Sequence, residues 1–337
     1  MKKKEHRTRK NLKWFGLAPL FDPEEGFTVV APLDRGPGWW AGAPNVIFDD
    51  ERGRFFLSYR FRKPRELGRG VKTCISESSD GKNFSTIWEA TKDDLGSPSL
   101  ERCCLSRNLD GSYTLYISYV DPEDLCWRID PVRAERPEAF DLRRRSKVFS
   151  AADVGVEGVK DPYVFLVGGI HYMFISYVPS PLQADRELRR KMHESADVFN
   201  TGISRSHTAL AKSHDGDQFR WLGDIFSPER GWDGYATRIG SLLYTPPGFT
   251  IFYDGSATVK ENYEEKTGIA FTYDLKIYEK LSVDKPILVS PHYSGSLRYL
   301  DAVEAKGGIY YYYEYARPDG SHELRMNMVD LSNPPVE

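Results

Sequence analysis

The chain has 337 residues, and its 46 Lys and Arg residues nearly balance its 49 Asp and Glu residues, which leaves a formal net charge of −3. This balance gives no electrostatic reason to expect binding to nucleic acid or to an anionic membrane surface. Charged residues make up 28% and hydrophobic residues 40%, as in a soluble globular protein with a large core. No apolar run reaches the roughly 18 residues of a transmembrane helix.

The basic amino terminus is followed by polar residues rather than by the apolar stretch of a signal peptide, and the four cysteines lack metal-binding spacing. These features predict reduced thiols in a cytoplasmic protein. The aromatic content is high, since 13% of the residues are Phe, Trp or Tyr, and this favours strands over helices.

In chain order, a strand pattern at 27–33 is followed by five units, each centred on a Tyr- or Phe-rich strand. These aromatic strands lie at 54–59, 113–119, 171–177, 249–253 and 309–315. In three units the next strand carries a turn motif, at 75–84, at 210–219 and, in degenerate form, at 269–278. A segment at 180–206 lengthens the third unit and has helical character at 183–195.

The spacing of the units predicts the fold. Aligned on their aromatic strands, they repeat at intervals of about 60 residues, which suits a four-stranded propeller blade. We therefore predict an all-β, five-bladed β-propeller, with the strand at 27–33 completing the last blade and closing the ring. Residues 1–26 are then an N-terminal extension, and residues 27–337 form one propeller domain with an insertion at about 180–206. Two stacked β-sandwiches are the alternative, but they do not explain five similar units.

The alignment also brings polar residues to one repeat position, at the head of the innermost strand of each blade. That position holds Ala43, Glu101, Asp161, Thr237 with Arg238, and Asp301. Crowded carboxylates push one another's pKa values apart, which sorts a protonated acid from an ionised base, and cleavage of a glycosidic bond needs such a pair. A structural or cation-binding cluster is the alternative reading of these residues.

Strand alternation refines this prediction. Lys160 should point to the opposite side of its strand from Asp161, Pro162 should mark the start of that strand, and Asp301 rather than Glu304 should face the channel. Loops at the channel mouth supply aromatic and basic side chains suited to a sugar, which are Trp39, Trp40, Trp232, Tyr235 and Arg60, in addition to Arg238. Asp34, Asp233 and Asp254 are reserve carboxylates.

In blade number, blade spacing and the element Lys160-Asp161-Pro162, residues 27–331 resemble the five-bladed β-propeller glycoside hydrolases, the superfamily that contains families 43, 62, 32, 68, 117 and 130. The resemblance implies that Asp161 orients the substrate or tunes the general acid, and that Glu101 is a proton donor or base. It implies no organic cofactor, and it allows a calcium or sodium ion in the axial channel. Families 43 and 32 carry Asp where this chain has Ala43. Three explanations are open: Asp301 or Asp34 takes the role of that carboxylate, the chain belongs to a divergent family, or hydrolytic activity has been lost.

We therefore expect a glycoside hydrolase that removes a terminal sugar from an oligosaccharide or glycoside, with Glu101 and Asp301 as the acid/base pair and Asp161 positioning the sugar. A family-130-like phosphorylase is an alternative, kept open by Arg60, Arg62 and Arg238. A carbohydrate-binding propeller without turnover is another, suggested by Ala43. The expected partner is a small carbohydrate, not nucleic acid or a membrane, and the sequence carries no signal for an oligomeric state.

Overall fold

The structure is a computed structural model that describes residues 16–183 and 185–331. These residues form nineteen strands, which are β1 (Phe27–Val30), β2 (Trp40–Asp49), β3 (Arg54–Arg62), β4 (Gly70–Ser78), β5 (Ser85–Thr91), β6 (Cys104–Arg107), β7 (Tyr113–Val120), β8 (Trp127–Ala134), β9 (Val156–Val167), β10 (Ile170–Pro179), β11 (His207–Ser213), β12 (Arg220–Phe226), β13 (Ala236–Thr245), β14 (Gly248–Ser256), β15 (Lys266–Thr272), β16 (Glu279–Lys280), β17 (Leu297–Ala305), β18 (Gly308–Ala316) and β19 (His322–Asp330). The α-helices are α1 (Ala151–Val154) and α2 (Arg186–His193). Neither of them has the length and apolar character needed to cross a membrane.

Seven short 3-10 helices join the strands, at Pro23–Glu25, Arg65–Leu67, Lys92–Leu95, Pro137–Ala139, Leu142–Arg144, Val198–Asn200 and Val259–Glu261 of the described chain. The all-β class is therefore confirmed. The aromatic strands predicted from the sequence are β3, β7, β10, β14 and β18, and the predicted helical part of the insertion is α2.

The strands pair antiparallel in five consecutive sets, which are β2–β5, β6–β8, β9–β12, β13–β16, and β17–β19 with β1. The N-terminal strand β1 pairs with β19, so it adds the outer strand to the fifth set. Short parallel contacts join the fourth set to the fifth at Lys266 and Leu297, and the fifth to the first at His322 and Trp40.

Five hydrogen bonds link the first strands of the sets, β2, β6, β9, β13 and β17, in a cycle that we call the central ring. In each link a backbone N–H donates to a side chain of the adjacent first strand. The links are Leu105 N to Asn45 Oδ1 (2.7 Å), Val164 N to Cys104 Sγ (3.2 Å), Leu242 N to the Tyr163 hydroxyl (3.1 Å), Ala302 N to Ser241 Oγ (3.1 Å) and Val46 N to Asp301 Oδ2 (2.9 Å). Five side chains of different chemistry thus have the same structural role, which is to link one first strand to the next.

A β-bulge interrupts each of β2, β9 and β17 just before its central-ring residue. The unpaired residues are Ala43 with Pro44, Asp161 with Pro162, and Tyr299 with Leu300. The first of each pair has a positive φ, of 51°, 52° and 53° respectively. Because a bulge residue needs no ladder N–H, proline fits there. β9 therefore starts at Val156, and the expectation that Pro162 marks the start of the strand is wrong.

The bulges also correct the repeat alignment. Strand pairing places Gly42, Glu101, Lys160, Arg238 and Arg298 at one level, opposite Arg60, Ser118, Ser176, Asp254 and Glu314 of the second strands. Asp301 lies three residues beyond Arg298, so its alignment with Glu101 and Asp161 was wrong. Asp301 itself is buried and accepts a hydrogen bond in the central ring, whereas Glu304 is exposed.

The predicted N-terminal extension, residues 1–26, is described only from Gly16, and residues 1–15 lie outside the described part of the chain. Its described portion packs on the fourth and fifth sets. Ala18 is buried and donates its backbone N–H to Thr250 Oγ1 at 2.9 Å, and the ring of Phe21 stacks on Tyr313. Residues 16–26 are thus part of the folded body.

Candidate active site

Eight buried side chains of alternating charge lie beside the central ring. We call them the charged cluster, and they are the acids Glu101, Asp161, Glu265 and Glu314 and the bases Arg60, Lys160, Arg238 and Arg298. Buried charges are tolerated only when they are paired, and every member of the cluster has a partner of opposite sign.

The ion pairs form a continuous path through the cluster. Glu101 Oε2 accepts a hydrogen bond from Arg60 Nε at 2.5 Å, and Arg60 Nη1 lies 3.7 Å from Glu314 Oε2. Glu314 Oε1 lies 2.7 Å from Arg298 Nη2, and Arg298 also pairs with Glu265. This half of the path connects the first, second, fourth and fifth sets.

The other half of the path joins the third and fourth sets. Glu265 Oε1 lies 3.4 Å from Arg238 Nη1, which lies 3.1 Å from Asp161 Oδ2. Lys160 Nζ is 3.6 Å from that same Asp161 oxygen. Lys160 and Asp161 therefore do not point to opposite sides as expected, because the positive φ at Asp161 breaks the alternation.

Tyr299 packs its ring against the charged cluster. The ring centroid lies 3.7 Å from the guanidinium carbon of Arg238 and 5.1 Å from that of Arg298, close enough for cation–π attraction. The hydroxyl donates to Asp161 Oδ2 at 3.4 Å. Burial, opposed by Arg238 and reinforced by Asp161, raises the pKa of Tyr299 well above its usual value, so the phenol stays protonated.

Asp254, a reserve carboxylate of the sequence analysis, lies on β14 opposite Arg238. Its Oδ2 accepts hydrogen bonds from Arg238 Nη2 at 2.7 Å and Nε at 3.0 Å, and the backbone N–H of Tyr299 donates to both of its oxygens. Burial raises the pKa of Asp254, the charge of Arg238 opposes that rise, and Glu265 adds to it.

The pKa of Glu101 is shifted in the opposite direction. Burial acts to raise it, but the positive charges of Arg60, Lys160 and Arg62 outweigh burial and lower the pKa to about 2. One region thus holds a carboxyl group whose pKa is raised and another whose pKa is lowered. Such a division separates a proton donor from an ionised base.

A small cavity adjoins the charged cluster between the third and fourth sets. It is lined by Lys160, Phe199, Ser206, Ala236, Arg238, Asp254, Asn262 and Glu265. Carboxylates, basic groups and an amide converge on this cavity, whose volume of about 10 Å³ is that of one water molecule or one hydroxyl group. A larger groove lies against Leu17, Phe271 and Ile277, but it is mainly apolar and is remote from the charged cluster.

The insertion closes one side of this cavity with Phe199. Its neighbour Asp197 accepts a hydrogen bond from the Tyr263 hydroxyl and lies 3.4 Å from Arg69 Nη1. Tyr235 donates its hydroxyl to the Phe199 carbonyl at 3.0 Å. The insertion is therefore anchored over the site rather than free in solvent.

The other predicted site residues occupy varied positions. Trp40 is buried, with its ring stacked on His322 and beneath the guanidinium of Arg62, whereas Trp39 is half-buried near Lys63. Trp232 packs on Tyr253 and donates Nε1–H to the Ser282 carbonyl, so it supports β14 and β15. Asp301 belongs to the central ring, Asp233 pairs with Lys280 at 2.8 Å, and Asp34 is exposed.

Sequence reasoning missed Arg298, Tyr299, Glu265 and Glu314. Glu314 had a usable signal, because it is the one charged residue within the aromatic run at 309–315. Glu265 immediately precedes β15, the third strand of its set, and the repeat alignment compares only the heads of first strands. Arg298 lies next to the bulge formed by Tyr299 and Leu300, and the sequence pattern did not indicate that bulge.

Within residues 16–183 and 185–331, no group of three or more His, Cys, Asp or Glu side chains is arranged to hold a metal ion. The acids of the charged cluster are instead neutralised by arginine and lysine.

At the level of sequence, no family model and no curated protein matches the chain. Solved structures do match. A glycosyl hydrolase from Bacteroides ovatus aligns with a TM-score of 0.63 at 16% identity, over 96% of each chain. A β-1,2-mannobiose phosphorylase from Listeria innocua aligns with a TM-score of 0.60 at 15% identity, over 90% of this chain and 94% of the other. The RS223 β-xylosidase aligns with a TM-score of 0.59 at 11% identity, over 91% and 95%. The chain therefore has the fold of these glycoside hydrolases and phosphorylases, as the resemblance predicted.

Proposed function

We propose that the protein is an enzyme acting on glycosidic bonds, and specifically a hydrolase that removes a terminal sugar from an oligosaccharide or glycoside. We also propose that its five strand sets are the blades of a five-bladed propeller, an interpretation supported by the cyclic order of the central ring. The fold shared with glycoside hydrolases and phosphorylases supports the reaction class.

The observation that carries the proposal is the opposite shift of two carboxyl pKa values, one in the charged cluster and one in the cavity that adjoins it. Asp254 lines the cavity and has a raised pKa, so it is the candidate proton donor to the glycosidic oxygen. Glu101, with a pKa of about 2, is ionised and is the candidate base that takes the proton of the attacking water. The C–O bond breaks as its oxygen receives the donor's proton, and water supplies the new hydroxyl.

The remaining residues of the site position these groups. Asp161 is held by Arg238, Lys160 and the Tyr299 hydroxyl, and we assign to it the orienting role that the resemblance implies. We leave Asp301 out of this proposal because it does not line the cavity, and its carboxylate instead accepts hydrogen bonds from Val46 N and Asn45 Nδ2 in the central ring. Asp254 takes the role that the sequence analysis gave to Asp301.

A second candidate is phosphorolysis, in which phosphate replaces water and the product is a sugar 1-phosphate. One observation favours it. Both Nη atoms of Arg60 and the Nε of Arg62 are buried and make no hydrogen bond within the described part of the chain. Donors of this kind suit an oxyanion, since guanidinium groups bind phosphate in a forked geometry.

The test is a panel of nitrophenyl furanosides and pyranosides, assayed with and without inorganic phosphate. We expect phosphate-independent release that Glu101→Gln lowers by at least about 100-fold. Asp254→Asn should impair 4-nitrophenyl substrates far more than 2,4-dinitrophenyl substrates, because a good leaving group needs no proton. Release that requires phosphate would replace the hydrolase by the phosphorylase. Saccharide binding without turnover would instead support the binding propeller suggested by Ala43.

A further inference from the structure

Arg102 lies at the centre of the five strand sets and contacts the first strands of the other four. It is fully buried, at 0% exposure, and precedes β6 by two residues. Its Nε donates to the Pro44 carbonyl of β2 at 2.9 Å, and its Nη1 donates to the Gly240 carbonyl of β13 at 2.7 Å. Its Nη2 lies 3.5 Å from Asp301 Oδ2 of β17.

The fourth contact is made by the backbone of Arg102, which donates its N–H to Asp161 Oδ1 of β9 at 3.3 Å. The carbonyls of Pro44 and Gly240 are available because both residues are bulge residues without a ladder partner. A buried carbonyl without a partner is costly, so these oxygens need a donor or a cation at this position.

The ligands that converge on Arg102 are two backbone carbonyl oxygens and one carboxylate. Oxygen ligands of this kind are those that calcium and sodium ions take in proteins. Here the guanidinium, with its permanent positive charge and fixed fork of donors, already fills the position and neutralises Asp301. The residues present therefore do not fit the additional axial ion that the family resemblance allows.

We propose that the guanidinium of Arg102 is the built-in axial cation of this protein, so that the joining of its strand sets is independent of calcium and sodium. Arg102 supplies in one side chain the charge and the convergent contacts that a bound ion would otherwise supply. Its charge also opposes the rise in the pKa of Asp301 that burial causes. This inference concerns assembly of the fold and is independent of the proposed reaction.

The first test uses the wild-type protein, stripped of metal by a chelator and melted with and without millimolar calcium. A second pair of melts compares sodium chloride with choline chloride at equal ionic strength. We expect a change in Tm of no more than about 1 °C in either comparison, since a ligand that binds the folded state raises Tm by mass action. A saturable rise in Tm with calcium or sodium would overturn the proposal.

The second test is a double-mutant cycle on Arg102 and Asp301. Arg102→Met alone should lower Tm by at least about 5 °C, because it leaves the Asp301 carboxylate buried without its cation. Asp301→Asn added to Arg102→Met should lower Tm by less than the sum of the single losses, because both charges are then gone. Arg143→Met, at a residue whose side chain is 90% exposed, is the control and should leave Tm unchanged. Additive losses would contradict the proposed pairing, and if Arg102→Met does not fold, the wild-type melts still decide.

Discussion

The guanidinium carbon of Arg238 lies 3.7 Å from the ring centroid of Tyr299. The same arginine pairs with Asp161 and Asp254, and Tyr299 contacts both acids as well, through its hydroxyl and its backbone N–H. Tyr299 therefore contacts Arg238 and also both carboxylates, Asp161 and Asp254, whose charge Arg238 balances. Tyr299 holds this position with a φ of 53°, a backbone conformation that costs free energy and is concentrated at functional sites.

Two substitutions separate the parts of this contact. Tyr299→Phe keeps the ring over Arg238 and removes the donor to Asp161, so it should cost no more than about 1 kcal/mol of unfolding free energy. It should lower kcat by about tenfold, since Asp161 loses a positioning contact. Tyr299→Leu removes the ring and should cost about 3 kcal/mol or more. Denaturant unfolding and steady-state kinetics measure both effects, and an unchanged kcat in Tyr299→Phe would contradict the positioning role.

Glu101 and Asp301 should differ in what their loss affects. Glu101→Gln should abolish most turnover, because the ionised carboxylate is the proposed base. Asp301→Asn should instead lower the unfolding free energy by about 3 kcal/mol, because it breaks a buried pair with Arg102 and a link of the central ring. Turnover per folded molecule of Asp301→Asn should be retained. Activity assays corrected for the folded fraction distinguish the two residues. Loss of turnover in a stable Asp301→Asn protein would instead support Glu101 and Asp301 as the acid/base pair, as the sequence analysis expected.

The lowered pKa of Glu101 has a consequence for stability in acid. The folded-state pKa of about 2 lies below the unfolded value near 4.5, so folding favours the ionised form. This stabilisation is complete above about pH 4.5 and is lost as the pH falls towards 2, with a magnitude of about 3 kcal/mol. The difference in unfolding free energy between wild type and Glu101→Gln should therefore shrink across that range. Denaturant titrations between these pH values measure it, and a constant difference would show that the pKa is not lowered.

The insertion should loosen when its anchor at Asp197 is removed. Asp197→Asn weakens the contacts to Arg69 and Tyr263, so the segment carrying α2 should open more often. Trypsin should then cleave about tenfold faster within α2, which carries four Arg and Lys residues. Glu194→Gln, which loses only an exposed pair with Arg190, is the matched control. Equal cleavage rates for both variants would show that Asp197 is not the anchor.

Much of the fold could be predicted from the sequence because its aromatic strands are repeated. The strand that contains Glu314 was located correctly, and so was the pairing of β1 with the end of the chain's last set. The exact register was not predictable, because bulges that begin at Ala43, Asp161 and Tyr299 are built by residues other than glycine. Ala and Tyr rarely adopt a positive φ, and Asp adopts one more often but not often enough to predict a bulge.

The site was predicted less completely than the fold. Asp161 lies in a first strand and Glu101 lies three residues before one, and these are the positions that the repeat alignment compares. Asp254 and Glu314 come from second strands, and they reach the same cluster only through pairing opposite Arg238 and Arg298. Such cross-strand partners are set by register, which the bulges obscure.

One of the five hydrogen bonds of the central ring differs from the others in its acceptor atom. Four of its five acceptors are oxygen atoms, but the joint between the second and third sets depends on Cys104 Sγ, and a thiol sulfur is a weak acceptor. At this same boundary the insertion buries Met192, Val198 and Phe199 against Trp127 of the second set and Val178 of the third. The insertion therefore adds hydrophobic contacts across the boundary at which the central-ring hydrogen bond is weakest. A chain without this segment would lose one wall of its cavity. It would also lose the contacts that support the hydrogen bond from Val164 N to Cys104 Sγ, the link of the central ring at which we expect amide exchange with solvent to begin.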